Sequence, residues 1–276
     1  MVATLECKSV QRGVPSKWVD VAGITDRQVQ DAHKRLDALV KSTNPSKAVA
    51  GGFLAVVEEC PTANPSDLWQ HIIYRHLLDE GWSDNKWKRV SGFALELALV
   101  EAYNPRLAPF DIRMKIMEAE HANKFLRTLG TNVTATKVDI FLLQRENAEE
   151  WSVFGAAHVK SSIAERIQDD VPASEFLMKN NLLSIMLTMD SKSYPPPHGE
   201  CVNFGELGGR SVDVSKARIK RDYIEKTGQF SALFSFNLRT PPSPEKTPSG
   251  RRIYTMGFHD KQPDQLVHFL SASLAS

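Results

Sequence analysis

The chain has 276 residues, with 34 Lys and Arg against 33 Asp and Glu and a formal net charge of +1. Such a length allows one large domain or two small ones, and the balanced charge excludes a globally basic surface. There is no apolar run of about 18 residues and no apolar core of signal-peptide length near the N-terminus. We therefore expect a soluble intracellular protein, in which nucleic-acid binding would depend on local charge clusters.

The first third of the sequence predicts helices. Residues 25–41 carry apolar side chains at helical spacing after a Thr-Asp start, and a second segment covers 45–58. A third helix, DLWQHIIYRHLLDE, follows Ser66, which is a plausible N-cap, and SGFALELALVEAYN (91–104) is a fourth.

The pattern then changes to strands. Residues 136–145 and 151–160 are apolar runs of strand length, separated by a polar hinge. Residues 175–189 have the pattern of a helix, and short strands are expected in FSALFSFNL and RRIYTMGF, between loops rich in Pro and Gly. DQLVHFLSASLA is a predicted final helix. Helices before and after a central sheet indicate one α/β domain with a helical N-terminal portion.

The three cysteines are odd in number and far apart. Cys7, Cys60 and Cys201 fit neither zinc-ligand spacing nor a disulfide framework. Their pattern predicts free thiols in a reducing cytoplasm.

Two charged residues stand at neighbouring predicted strands. Asp139 lies in the run VDIFLL, and Lys160 ends the next strand. Converging at one end of a sheet, the carboxylate would hold a hard divalent cation and the lysine would stabilise charge on a phosphate. Each residue alone has a plainer interpretation, because an Asp in a strand is often structural and a lysine at a strand end often reaches solvent.

Further carboxylates could complete such a site. Glu96 lies on the apolar helix 91–104, and Asp170 and Glu175 follow Lys160. If 161–170 is helical, Glu165 shares a face with Asp169, and Arg166 shares one with Asp170. The alternative is a solvated helix face.

The order VD followed by HVK resembles the metal-dependent core of type II restriction endonucleases of the PD-(D/E)xK type. The usual acid two residues before the lysine is replaced by His158, as in the variant that cuts CCGG-containing sites, where the second acid moves into the following helix. A member of that group is closely similar from about residue 50 onward, in KSSIAERIQDDVPAS, SG-x-A-x-E, NPSDLW, SYPPPHGE and NLRTPPS.

This resemblance implies a restriction-endonuclease-like core, with a central mixed sheet flanked by helices, in a single nuclease domain over 1–276. Its parts would be a mainly helical portion (1–90), a catalytic core (91–190) and a C-terminal sheet with DNA-contacting loops (191–276). Asp139 would be the metal-binding acid, Lys160 the catalytic lysine, Asp170 the relocated second acid and Glu96 a supporting carboxylate. Glu175 remains the alternative to Asp170, because the moved acid lies farther from the lysine in other members.

The resemblance also implies DNA contacts. Glu165 and Arg166 match the element that reads C·G pairs in the major groove, where Arg bonds guanine and Glu accepts from cytosine. The further arginine of that element is replaced by Ala164. Other expected DNA contacts are Ser161, Ser162, Asp169 and Arg239, with less specific signals at Arg251, Arg252, His198 and the basic segment 210–226.

The expected activity is Mg²⁺-dependent hydrolysis of double-stranded DNA at a palindromic site with a CCGG or CC(N)GG core, leaving 5′-phosphate and 3′-hydroxyl ends. A palindrome requires two symmetric active sites, hence a homodimer, which could form only on DNA. Alternatives are a structure-specific nuclease and a degenerate DNA-binding protein. A metal-independent hydrolase using Cys201 or His198 has no supporting motif.

Overall fold

The computed structural model describes residues 1–9, 11–130, 138–148, 150–163, 167–208, 214–258 and 264–274, without the side chains of 214–217. The chain opens with an antiparallel hairpin of β1 (Val2–Cys7) and β2 (Lys17–Ala22). The prediction of a mainly helical N-terminal portion missed this hairpin. Its signal is the alternation that buries Val19 and Val21 on one face of β2.

The predicted N-terminal helices are present. Helix α1 (Asp26–Ser42) begins with a capping box between Thr25 and Gln28, and α2 (Pro45–Glu59) follows. The third helical segment comprises α3 (Pro65–Asp67), a π-helical stretch (Leu68–Tyr74) and α4 (Arg75–Asp79). Its cap is Asn64, whose side chain accepts from the Ser66 N–H, so the assignment of Ser66 as N-cap is wrong. Helix α5 (Asp84–Leu107) begins earlier than predicted, after a Ser83 cap.

A six-stranded mixed sheet forms the centre of the molecule. Its spatial order follows the chain, and neighbouring strands are antiparallel from β3 to β5 and parallel from β5 to β8. The strands are β3 (Ile112–Lys115), β4 (Ile140–Arg145), β5 (Trp151–Lys160), β6 (Leu183–Thr188), β7 (Ala232–Ser235) and β8 (Ile253–Thr255). The fold class predicted from sequence, α/β with a central mixed sheet flanked by helices, is confirmed.

Helices cover both faces of this sheet. They are α6 (Ala119–Thr128), α7 (Ile167–Lys179), α8 (Val214–Glu225) and α9 (Gln265–Leu274), in addition to α2 and α5. Alternate strand residues serve the two faces: Ile185 and Leu187 join the core with α2 and α5, whereas Met186 packs on the opposite side with residues of α7 and α8. No helix among the described residues is long and apolar enough to cross a membrane.

Two helix predictions fail in part on either side of α7. Residues 161–163 are not helical, so the predicted helix over 161–170 is wrong for its first part. The predicted helix over 175–189 is confirmed only to Lys179, where α7 ends; beyond it Asn181 adopts a φ of 59°, and the remaining apolar run forms β6. A short apolar run of this kind does not distinguish a buried strand from a helix by periodicity.

The cysteine prediction is corrected as well. Cys7, at the end of β1, and Cys201 form a disulfide across a separation of 194 residues. Cys60 is free and buried. The disulfide was not predictable from spacing, because the two cysteines meet only through the tertiary fold.

Candidate active site and DNA cleft

Asp139 and Lys160 meet at one end of strands β4 and β5. Asp139 immediately precedes β4, and its backbone N–H donates to the Ala157 carbonyl at 3.2 Å. Its Oδ2 accepts the Val159 N–H at 2.6 Å and lies 3.4 Å from Lys160 Nζ. Antiparallel pairing of the two strands thus brings the acid and the lysine together, as the sequence predicted.

Asp170 is the second acid beside the lysine. It lies in the first turn of α7 with its side chain 6% exposed, and its Oδ2 is 2.8 Å from Lys160 Nζ. Glu175, farther along α7, accepts a hydrogen bond from Gln229 Nε2 at 3.3 Å and does not line the cleft that contains Lys160. Of the two candidates, the structure therefore brings Asp170 to the lysine.

Lys160 is charged in this setting. Burial acts to lower the pKa of its ammonium, but the charges of Asp139 and Asp170 and their hydrogen bonds outweigh burial, and the net pKa is raised. The side chain is only 16% exposed. A buried ammonium fixed between two carboxylates can stabilise negative charge on a phosphate.

Glu96 approaches the same group from α5. Burial, with a smaller contribution from the negative charge of Asp139, raises the pKa of the Glu96 carboxyl to about 8, while Lys160 opposes the rise. A carboxyl so strongly shifted by its surroundings in a cleft is typical of a functional site.

His158 occupies the position where an acid is usual in this type of site. Its ring is fully buried, with Nε2 3.1 Å from Ser184 Oγ on the neighbouring strand and an edge-on contact with Phe230. The histidine is part of the sheet packing, and the acid near the lysine comes from α7 instead.

An open cleft of about 670 Å³ contains this cluster. It includes seven of the residues predicted from sequence: Glu96, Asp139, Lys160, Ser161, Ser162, Asp169 and Asp170. It also includes residues that the sequence did not indicate: Gln70, Lys88, Ser191, Lys192 and Ser193. The segment after β6 was missed because β6 was interpreted as helix. Because β6 runs parallel to β5, the loop that follows β6 lies at the same end of the sheet as Lys160.

Several other predicted residues lie elsewhere. Arg239 donates to the buried carboxylate of Asp67 at 2.7 Å, and His198 is exposed outside the cleft. Arg251 is exposed, and Arg252 packs over the ring of Tyr254.

Basic residues of the predicted segment 210–226 are engaged in ion pairs, and residues 210–213 lie outside the described part of the chain. Lys220 pairs with Glu206 at 3.0 Å, and Arg221 pairs with Glu225. Ala164, Glu165 and Arg166 lie outside the described residues.

The donor set of the cleft fits a hard cation. Asp139 and Asp170 present carboxylate oxygens, and Glu96 is a further carboxyl group in the same cleft. Over the part of the chain that the structure describes, no three His, Cys, Asp or Glu side chains are grouped tightly enough to form a metal cage. Mg²⁺ needs none, because it is usually bound by one or two carboxylates together with waters and substrate phosphate.

A mixed sheet with an acid and a lysine at the ends of adjacent strands, and a second acid in the next helix, defines a restriction-endonuclease-like protein. The type II restriction enzyme AgeI of Thalassovita gelatinovora is 44% identical over 238 residues, which cover 83% of this chain and 84% of that enzyme. The chain belongs to the type II restriction endonucleases, and it is a site-specific deoxyribonuclease.

The solved structure of one similar chain agrees with this assignment. The crystal structure of a specific AgeI–DNA complex matches 98% of this chain and 99% of that one, with a TM-score of 0.88 and 40% identity. A pre-specific BsaWI–DNA complex matches with a TM-score of 0.48 and 15% identity over 90% and 91% of the respective chains. No protein-family profile matches the chain.

Proposed function

We propose that the protein is a Mg²⁺-dependent endonuclease that cleaves both strands of DNA at a palindromic site with a CCGG or CC(N)GG core. The observation that carries the proposal is the position of Lys160 between Asp139 and Asp170 in an open cleft. The products would carry 5′-phosphate and 3′-hydroxyl ends. The crystal structure of the similar AgeI chain contains DNA, which supports DNA as the substrate.

Asp139 and Asp170 are the residues that would hold the metal, with Glu96 in support. Mg²⁺ bound there supplies polarisation of the phosphate and a more acidic water. Lys160 keeps its proton and orients the attacked phosphate or the attacking water through its ammonium. Burial of these groups strengthens each interaction, because little water is present to screen it.

Base reading is assigned to the segment after Lys160. We propose that Glu165 and Arg166 read a C·G pair, because they match the family motif. We also propose that Asp169, Ser161 and Ser162 contact the DNA, because they line the cleft. Readers so close in sequence to the catalytic lysine would couple correct recognition to phosphate positioning. Arg239 is a weaker candidate, because its guanidinium is already bound to Asp67.

A palindromic site requires a second active site, so we propose a homodimer on DNA. We also propose a cytoplasmic location, where a restriction enzyme meets its substrate. The family supports that location. The cysteines do not support it, because two of them form a disulfide.

Incubation with a plasmid of known sequence tests the proposal. With Mg²⁺ we expect discrete fragments whose ends map to CCGG or CC(N)GG, and with EDTA we expect intact DNA. A smear would indicate a structure-specific nuclease instead, and binding without cutting would indicate a degenerate enzyme.

Asp139→Ala should abolish cutting and keep specific binding, and normal turnover by this variant would refute the metal assignment.

A further inference from the structure

The loop after β6 forms a wall of the cleft that the proposed chemistry does not use. Ser191, Lys192 and Ser193 line the cleft at the same edge of the sheet as Lys160. The two segments are joined by backbone hydrogen bonds, from Met189 N to the Lys160 carbonyl at 3.1 Å and from Ser191 N to the Ser161 carbonyl at 2.9 Å. Lys192 therefore follows the strand next to the one that carries Lys160.

This loop is held from the other side by the π-helical stretch and the start of α4. Ser191 Oγ donates to Gln70 Oε1 at 2.7 Å, and Gln70 Nε2 donates to Ser193 Oγ at 3.2 Å. Arg75 Nη2 also donates to Ser193 Oγ, at 3.0 Å. The residues flanking Lys192 are thus both held by side chains of one helical segment.

The backbone of Lys192 itself is held by a buried amide. Its N–H donates to Asn203 Oδ1 at 2.7 Å, and Asn203 Nδ2 donates to Ser66 Oγ at 2.6 Å. Both Asn203 and Ser66 are fully buried. The lysine is therefore presented on rigid backbone, which reduces the entropy lost when it binds a ligand.

Lys192 differs from the other two lysines of the cleft in that its ammonium forms no ion pair with any described residue. Lys160 is paired with Asp139 and Asp170, and Lys88 is paired with Asp84 at 2.5 Å. Across the described residues, no carboxylate lies within ion-pair distance of Lys192, and the ammonium lies over the ring of Tyr194, 5.8 Å from its centroid. The charge of Lys192 acts on Asp84 without an ion pair between them, so its partly buried ammonium is available to an external anion.

We propose that Lys192 binds a backbone phosphate of the DNA beside the one that is cut, and that Gln70 and Arg75 position it. This inference rests on the proposed DNA substrate. A phosphate contact is independent of sequence and releases a counterion, so it contributes equally to cognate and non-cognate binding. The chemical step would not depend on it once the duplex is bound.

The test compares duplex binding by the wild-type enzyme, Lys192→Gln, Lys192→Arg and the control Lys34→Gln. Lys34 is an exposed α1 lysine, with a side chain 77% exposed, that does not line the cleft. Binding is measured in EDTA, so that no strand is cut, on a duplex with a central CCGG and on one with the same bases scrambled. Each affinity is measured at several salt concentrations.

We expect Lys192→Gln to weaken binding of both duplexes by the same factor. The slope of log affinity against log salt concentration should become shallower by about 0.9. The difference in affinity between the wild type and the variant should therefore shrink roughly threefold to fourfold between about 50 and 200 mM salt. Lys192→Arg should restore the slope, and Lys34→Gln should leave it unchanged. An unchanged slope in Lys192→Gln, or a loss confined to the CCGG duplex, would overturn the proposal.

The same measurements separate this proposal from the proposed function. If the wild-type enzyme binds duplexes but does not cut plasmid DNA with Mg²⁺, the nuclease proposal fails while the slope still decides the role of Lys192. If it binds neither duplex, both proposals fail. If it cuts and the slope is unchanged, only the assignment of Lys192 is lost.

Discussion

Lys160 Nζ lies 2.8 Å from a carboxylate oxygen of Asp170, although β5 and α7, which carry the two residues, are separate elements of the chain. This distance distinguishes the two acids that the sequence left open. Asp170 faces the lysine, whereas Glu175 accepts from Gln229. An acid displaced from its usual strand position can still reach the lysine, because α7 begins close to the end of β5.

We predict that Asp170→Asn reduces the cleavage rate by about three orders of magnitude, because losing a carboxylate that we propose as a metal ligand would remove several kcal/mol of transition-state stabilisation. Glu175→Gln is the matched control and should cut within a few-fold of wild type. Single-turnover cleavage of plasmid DNA measures both. The opposite ranking of the two variants would make Glu175 the second acid.

Part of the proposed catalytic cluster could be predicted from sequence. Asp139 and Lys160 were found because the strands that bring them together are apolar runs bounded by polar residues, a local signal. Glu96 and Asp170 could be named as candidate carboxylates, but their roles were assigned only through the family resemblance, since their approach to Lys160 depends on how α5 and α7 pack on the sheet.

The remainder of the cleft required tertiary information. Lys192 was missed because β6 has an apolar run that matches a helix as well as a strand. Its anchoring by Gln70 and Asn203 joins parts of the chain that no local pattern connects. Non-local contacts of this kind also explain why the Cys7–Cys201 disulfide was not foreseen.

We predict that Arg166→Ala weakens discrimination at one C·G pair by about 1–3 kcal/mol, the contribution of a bidentate contact to guanine. Cleavage rates on the mapped site and on duplexes with one base pair exchanged measure this discrimination. Lys192→Gln provides the contrast, because a phosphate contact should leave the ratio of the rates unchanged. An equal loss on all sequences would show that Arg166 contacts only the backbone.

The approach of Gly205 to Asp190 is a predicted weak point for stability. Gly205 has a φ of 72°, and an added Cβ would meet the Asp190 carboxylate and lie 2.8 Å from its backbone oxygen. Asp190 is fully buried, and its carboxylate accepts from Glu206 N and Thr240 Oγ1. Little in this network can move aside.

We therefore expect Gly205→Ala to lower the free energy of unfolding by more than about 3 kcal/mol, from strain and steric overlap together. Gly250→Ala is the matched control, because Gly250 has a similar φ of 71° and open space around it. It should cost only the conformational strain, about 1–2 kcal/mol. Urea unfolding measures both, and equal losses would show that the loop at Gly205 yields to the new methyl group.

The disulfide predicts a specific pattern of thiol labelling. In denaturant without reductant, iodoacetamide should modify Cys60 alone, and after reduction it should also modify Cys7 and Cys201. Mass spectrometry of the intact protein counts the modified thiols. Reduction, or Cys7→Ser, should lower the free energy of unfolding by about 2–5 kcal/mol. Three reactive thiols in the unreduced protein would show that the bond does not form.

His71 predicts how stability depends on pH. Its ring is 3% exposed, and burial, followed by the charges of Arg75 and Arg239, lowers the pKa of the imidazole to about 3. Its Nδ1 accepts a hydrogen bond from Arg75 Nε at 3.1 Å, which requires the neutral ring. In the unfolded chain the same ring would titrate near pH 6.5, as roughly expected for free histidine.

Between those two pKa values the unfolded state binds one proton more than the folded state, so stability falls as pH decreases below 6.5. The expected contribution of His71 is about 1.4 kcal/mol per pH unit, fully retained above pH 6.5 and lost progressively toward pH 3. Asparagine keeps an acceptor in place of the ring nitrogen but does not titrate. His71→Asn should therefore flatten the pH dependence of the free energy of unfolding between about pH 6 and 4, whatever its effect at neutral pH.

The control for this experiment is His121→Asn on α6, where the histidine side chain is 72% exposed. It should leave the slope of stability against pH unchanged. Urea unfolding of the wild-type protein and both variants across this pH range gives the three slopes. If His71→Asn and the wild type have the same slope, the ring is protonated in the folded state and the hydrogen bond from Arg75 is not maintained in solution.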